Sequence, residues 1–256
     1  MTSQPLLDTV RLEKAAADHG FDLTPVMDGE WVSFGSSQLS ERVWLKATNG
    51  DQFILAVTDG RILSELKRDA AINDAAQQGP GGSAGAVQLI GYGHLYNALA
   101  RVSALARSLP TLVAERFKRA TAGMPQSTEV ERLVVLRVGQ QLFRDALIDY
   151  WGGRCAVTGL TIVPLLRASH IKPWAQCASD DERLDVFNGL LLAPHLDALF
   201  DGGWIGFSQD GAIILSQQLD EVSREMLNVR AELRMAWVAP EHQSYMTHHR
   251  ANVFRA

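Results

Sequence analysis

Cysteine is scarce in this chain: its 256 residues hold two, Cys155 and Cys177. Two thiols cannot build a disulfide framework, and a zinc site made of four cysteines is excluded by count. Long apolar runs are missing too, since none reaches the ~18 residues that a membrane-spanning helix needs. The first twenty residues, MTSQPLLDTVRLEKAAADHG, carry acids and no apolar segment, so they do not read as a signal peptide. A cytoplasmic protein is the default expectation. Positive charge is also in short supply. Residues 1–126 hold 12 basic and 13 acidic side chains, residues 127–256 hold 12 and 16, and the net charge is −5. Neither half is a basic module, so any contact with nucleic acid must rest on a local patch and be sensitive to salt. The one glycine-rich tract, QQGPGGSAGA at 77–86, lacks the GK[ST] of a phosphate-binding loop and reads as a flexible connection. No internal repeat is present.

What the chain does have is a hydrophobic fraction of 46% with 21% charged residues, the balance of a soluble globular protein with ample core. Apolar periodicity predicts a helix over 5–19, strands over 31–34, 42–47 and 52–57, and a tight turn at Asn49-Gly50. A helix over 63–76, a strand over 86–90 and helices over 96–109 and 111–122 follow. A break at Gly123-Met124-Pro125 precedes Thr128 and Glu131, spaced as a capping box. The helix opening there should run to about Trp151, with Val130, Leu133, Val134, Leu142, Phe143, Leu147 and Ile148 as core positions. The chain is therefore read as an α+β protein with a small N-terminal α+β domain at 1–122 and a second domain at 127–256. Beyond residue 201 the pattern gives a hairpin over 204–215, a helix at 221–227 and a solvated C-terminal helix carrying His248, His249 and Arg250.

The informative stretch is Arg167–Asp201, RASHIKPWAQCASDDERLDVFNGLLLAPHLDALFD. The apolar run 163–171 reads as a strand ending in a histidine, His170, and Lys172-Pro173 stops it. A polar, acid-rich loop follows. Asn188-Gly189 opens a second apolar run, and Pro194 occupies the first position of a short helix ended by Gly202-Gly203. Asp197 and Asp201, four apart, share one face of that helix. Two strands and a helix would gather His170, Asn188 and the carboxylate pair. Those residue types suit hydrolysis of a phosphodiester. A neutral imidazole can take a proton from water, and two hard carboxylates can hold Mg²⁺ or Mn²⁺ against a phosphate.

This segment resembles the ββα-metal core of the HNH endonucleases, in the branch whose members read roughly CAVTG, ASHI-KPW, NGLLL and a short helix ending LFD-G. The likeness spans about residues 137–216. It implies that His170 is the general base, that Asn188 braces the loop, and that Asp197 and Asp201 hold one divalent cation facing the departing 3′-oxygen, leaving a 5′-phosphate. One position departs. The residue before the base is often Asp or His and ligates the metal, but here it is Ser169, so either a water or the Ser169 hydroxyl fills the place. His195 is a further candidate. Two residues before Asp197 it lies about 200° round the helix from it, and it can reach phosphate from the first turn.

A reader domain fused to such a core also resembles modification-dependent restriction enzymes. Double-stranded DNA, in modified form, is then the expected partner, with residues such as Trp31, Phe34, Trp44 or Tyr92 lining a pocket for the modified base. A homodimer would let two single sites cut both strands, and no membrane partner is expected. Two other classes stay open: a nonspecific DNase toxin, and a DNA-binding protein of weak catalytic power that keeps the ββα shape.

Overall fold

Val43, Leu45, Phe53, Leu55, Val57, Val87 and Leu89 recur at every second position and are all buried, as strands with a covered face require. They belong to the first of two compact units, residues 1–107 and 108–256, in a computed structural model that describes residues 4–48, 51–68, 73–125 and 127–256. In chain order this unit holds α1 (Gln4–Asp18), β1 (Val26–Asp28), β2 (Trp31–Phe34), β3 (Val43–Thr48), β4 (Gln52–Val57), α2 (Gly60–Leu66), β5 (Asn73–Gln77), β6 (Gly85–Ile90) and α3 (Tyr92–Ser108). The strands form one antiparallel sheet in the order β1-β2-β3-β4-β6-β5. The expected turn at Asn49-Gly50 lies outside the described residues, although Thr48 pairs with Gln52 on either side of it.

Three expectations change here. The helix expected over 63–76 starts and stops earlier. The Asp59 side chain accepts the Arg61 N–H at 2.7 Å and caps the helix at Gly60. Asn73–Gln77 instead pairs with β6 through an irregular register, an alanine-rich segment drawn into a sheet by pairing that outweighs its helix propensity. The glycine-rich tract is an ordered turn, closed by the Ser83 N–H and hydroxyl on the Pro80 carbonyl at 3.1 and 2.8 Å. The expected aromatic pocket loses two of its four named residues. Phe34 and Trp44 are core residues, 1% and 6% exposed, and Trp31 packs against the cluster of Trp44, Ile54, Ala56 and Ala86.

One buried acid in this unit gives a pH-dependent stability. Glu41 is 5% exposed and accepts the Thr58 and Asp59 N–H groups, yet burial pushes its carboxyl up to about 7. The folded state therefore prefers the protonated acid. Its stabilising effect is complete below the unfolded value of 4.5 and is lost as pH rises through about 7. Glu41→Gln should remove a decline of about 2–3 kcal/mol between pH 4 and pH 8, read from urea denaturation of the full chain at each pH. An unchanged slope in the variant would show that Glu41 titrates normally.

The second unit begins with α4 (Pro110–Thr121) and α5 (Glu129–Tyr150). Because α4 packs on α5, the break expected between 122 and 127 lies inside this unit rather than between domains. The capping box forms as read: Thr128 Oγ1 accepts the Glu131 N–H at 3.2 Å and Glu131 accepts the Thr128 N–H at 2.8 Å. The expected core positions divide along the helix. Phe143 and Leu147 are buried, whereas Val130, Leu133 and Val134 are exposed. The buried residues of α5 lie from Gly139 onward, where it packs on the strands that follow. Those elements are β7 (Arg167–His170), α6 (Asp180–Arg183), β8 (Gly189–Leu192), α7 (Pro194–Asp201), β9 (Ile205–Phe207), β10 (Ile213–Leu215), α8 (Glu221–Met226) and α9 (His242–Asn252). Among the described residues no helix is long and apolar enough to cross a membrane.

Candidate active site

The expected strand 163–171 forms only at its end. Val163–Leu165, with Pro164 inside it, is a single 3-10 turn, and the Arg144 guanidinium of α5 donates to the carbonyls of Leu166 and Val163 at 2.6 and 3.0 Å. β7 then pairs antiparallel with β8, setting Ser169 opposite Leu190 and His170 opposite Gly189. Gly189 has to be glycine, because a Cβ there would lie 2.5 Å from Phe143 and 2.8 Å from Leu147. The backbone of β8 thus rests directly on α5. His170, on the same side of the hairpin, stacks on the Phe143 ring at 3.8 Å, and Trp174 meets it edge-on at 5.3 Å.

His170 is held by one hydrogen bond. Its Nε2–H donates to the Arg183 carbonyl at 2.9 Å, which fixes the neutral tautomer and leaves Nδ1 as the basic atom. Among the described residues no hydrogen bond engages Nδ1. Burial lowers the imidazole below its ordinary value, partly opposed by the Arg183 carbonyl.

The loop that supplies that carbonyl is tied down mainly by Asn188. Its Oδ1 accepts the Lys172 N–H at 2.8 Å, and its Nδ2 donates to the carbonyls of Lys172 and Glu182 at 3.3 and 3.2 Å. Fully buried, this amide closes the ends of the loop on each other. Asn188 ends a 3-10 turn, Val186–Asn188, rather than opening β8. Lys172 pairs with Glu182 at 2.7 Å, and the Arg183 guanidinium donates to the carbonyls of Trp174 and Cys177.

On the other side of β7, α7 presents the carboxylate pair. Ser169 is 1% exposed, and its hydroxyl donates to Asp201 Oδ1 at 3.0 Å. Burial raises the carboxyl of half-buried Asp197, opposed by hydrogen bonding to Ser169 and by the charge of Arg167. Asp201, at the exposed end of the helix, is also raised, by partial desolvation and by the charge of Asp197, against the Ser169 hydrogen bond. Both ends of α7 are fixed by residues whose part the sequence reading missed. Cys155 Sγ accepts the Ala193 N–H at 3.3 Å at its start. At its end His249 stacks on Phe200 at 3.9 Å and donates from Nε2 to the Phe200 carbonyl at 3.0 Å. The C-terminal helix is therefore docked rather than solvated, and burial takes the His249 imidazole down to about 4.

Ser169, Asp197 and Asp201 thus come together as one oxygen-donor cluster. His170 follows Ser169 but turns to the opposite face of β7, toward α5, as consecutive strand residues do. His195 lies on the first turn of α7, two residues ahead of Asp197 and off the carboxylate face. Among the described residues there is no group of three or more His, Cys, Asp and Glu side chains able to hold a metal. The pair nevertheless fits a divalent cation, since two mutually repelling, partly desolvated carboxylates favour a positive ion, and hard oxygens suit Mg²⁺ or Mn²⁺.

Residues 155–208 match a protein-family model described as HNH endonuclease. The match is narrower than the likeness read from the sequence, and it contains His170, Asn188, His195, Asp197 and Asp201. No curated protein matches the chain at a significant level.

Proposed function

We infer, from the HNH endonuclease family to which residues 155–208 belong, that the second unit is a divalent-cation-dependent DNA endonuclease. The supporting observation is the cluster of Ser169, Asp197 and Asp201, with the next residue of the strand a histidine whose Nε2 is held on the Arg183 carbonyl. In this reading Asp197 and Asp201 hold Mg²⁺ or Mn²⁺, with the Ser169 hydroxyl orienting the carboxylates rather than acting as a full third ligand. A bound cation would supply charge stabilisation at the phosphate and the departing 3′-oxygen. His170 Nδ1 accepts the proton of the attacking water, and the Arg183 carbonyl keeps Nε2 protonated so that Nδ1 stays the base. Asn188 fixes the loop that carries that carbonyl. His195, off the carboxylate face, is assigned contact with a phosphate of the strand.

The same reading makes the first unit the source of target choice, in a cytoplasmic restriction enzyme that acts on modified DNA as a homodimer. With Phe34 and Trp44 in the core, recognition falls to surfaces other than the expected aromatic pocket. The test is cleavage of supercoiled plasmid by the full chain with Mg²⁺, Mn²⁺, Ni²⁺ or EDTA, on unmodified, cytosine-modified and phosphorothioate-containing DNA. Cleavage is expected with Mg²⁺ or Mn²⁺ and none with EDTA, with modified DNA preferred and 5′-phosphate ends produced. Equal cutting of all substrates would remove the restriction role. Absence of cutting with every cation would leave a DNA-binding module in place of an enzyme.

A further inference from the structure

We propose that Arg167 is the charge-balancing residue of this site: it weakens the hold of the carboxylate pair on a divalent cation and, once the cation is bound, takes a phosphate oxygen of the DNA strand. The inference rests on the nuclease reading and concerns how metal and DNA are coupled.

Arg167 opens β7, two residues before Ser169, and so projects on the same face, the one covered by α7. It is exposed, and among the described residues no hydrogen bond or ion pair engages its guanidinium. Neighbouring cations are already committed. Arg144 binds the carbonyls of Val163 and Leu166, Lys172 binds Glu182, and Arg183 binds the loop. The helix that carries Asp197 and Asp201 packs on β7, so Arg167 stands at the start of the strand that the carboxylates cover.

Two carboxylates and one guanidinium leave this face with one net negative charge, which repels a phosphodiester. A divalent cation reverses the sign to one net positive charge, which attracts it. DNA engagement at the site is therefore conditional on metal, and Arg167 contributes to both steps with opposite sign. It repels the cation and attracts the phosphate. A residue that only supported the fold would strengthen both or weaken both.

The test titrates Mn²⁺ calorimetrically into the DNA-free full chain, as wild type, Arg167→Ala and Arg167→Lys. It then measures binding of a short DNA duplex by fluorescence anisotropy, with Mn²⁺ and with EDTA, in a His170→Ala background that keeps the duplex intact. Arg167→Ala is expected to bind Mn²⁺ about three- to tenfold more tightly, on the order of one screened charge–ion contact. The same change should weaken Mn²⁺-dependent duplex binding about fivefold and reduce its salt slope by about one. Arg167→Lys keeps the charge and should follow wild type in Mn²⁺ affinity. Unchanged Mn²⁺ affinity in Arg167→Ala, or loss of both affinities together, overturns the proposal. A wild-type chain that binds no Mn²⁺ overturns the metal-dependent nuclease reading itself.

Discussion

Replacing His170 by alanine is expected to lower the rate of DNA cleavage about 10²–10⁴-fold, the range of a lost general base, with duplex affinity within about twofold of wild type. In the proposed mechanism the ring acts through one atom. Nε2 is fixed on the Arg183 carbonyl, so Nδ1 is the position that can take a proton. Burial holds the imidazole below its ordinary value, which keeps it neutral near pH 7. It is then a ready acceptor, at the cost of some basic strength. The ring also stacks on Phe143, so alanine leaves a gap against α5 and some loss of stability is expected. His170→Gln offers a better-packed comparison. If both variants keep their fold by circular dichroism and both are inactive, the role is chemical. Wild-type cleavage by either variant would remove His170 from the mechanism.

The sequence carried the local order of the site well. A strand ending in His170 and an i,i+4 acid pair on a short helix are properties of neighbouring residues and are where spacing put them, whereas Asn188 ends a 3-10 turn just before the strand it was expected to open. The capping box at Thr128 and Glu131 was legible for the same reason. What the sequence did not carry depends on contacts between distant segments. Nothing near Cys155 shows that its sulfur accepts the Ala193 N–H across 38 residues. Nothing in YMTHHR says that His249 will stack on Phe200. The helical period of α5 is uniform, so exposure of its first turns, against burial from Gly139 onward, follows only from which part the hairpin covers. In the first unit, Asn73–Gln77 looks helical by composition and is a strand because β6 has an open edge.

Substituting both Asp197 and Asp201 by asparagine should separate function from stability in opposite directions. Cleavage is expected to fall at least about 10²–10³-fold, since a bound cation is worth several kcal/mol to the developing charge. In the absence of metal, however, the variant should melt higher than wild type, by about 2–4 °C if neutralisation recovers about 1 kcal/mol. The reason is the cost of the pair without a cation. Both carboxyls are raised, Asp197 mainly by burial and Asp201 by desolvation and the charge of Asp197. Exposure of Asp201 keeps the expected gain small. Asparagine retains an oxygen for the Ser169 hydroxyl, so the hydrogen bond at 3.0 Å can persist. Mn²⁺ should then raise the melting temperature of wild type and leave the variant unmoved, because a ligand stabilises only the state that binds it. A variant that melts lower without metal would make the carboxylates structural, and one that Mn²⁺ still stabilises would place the cation on other ligands.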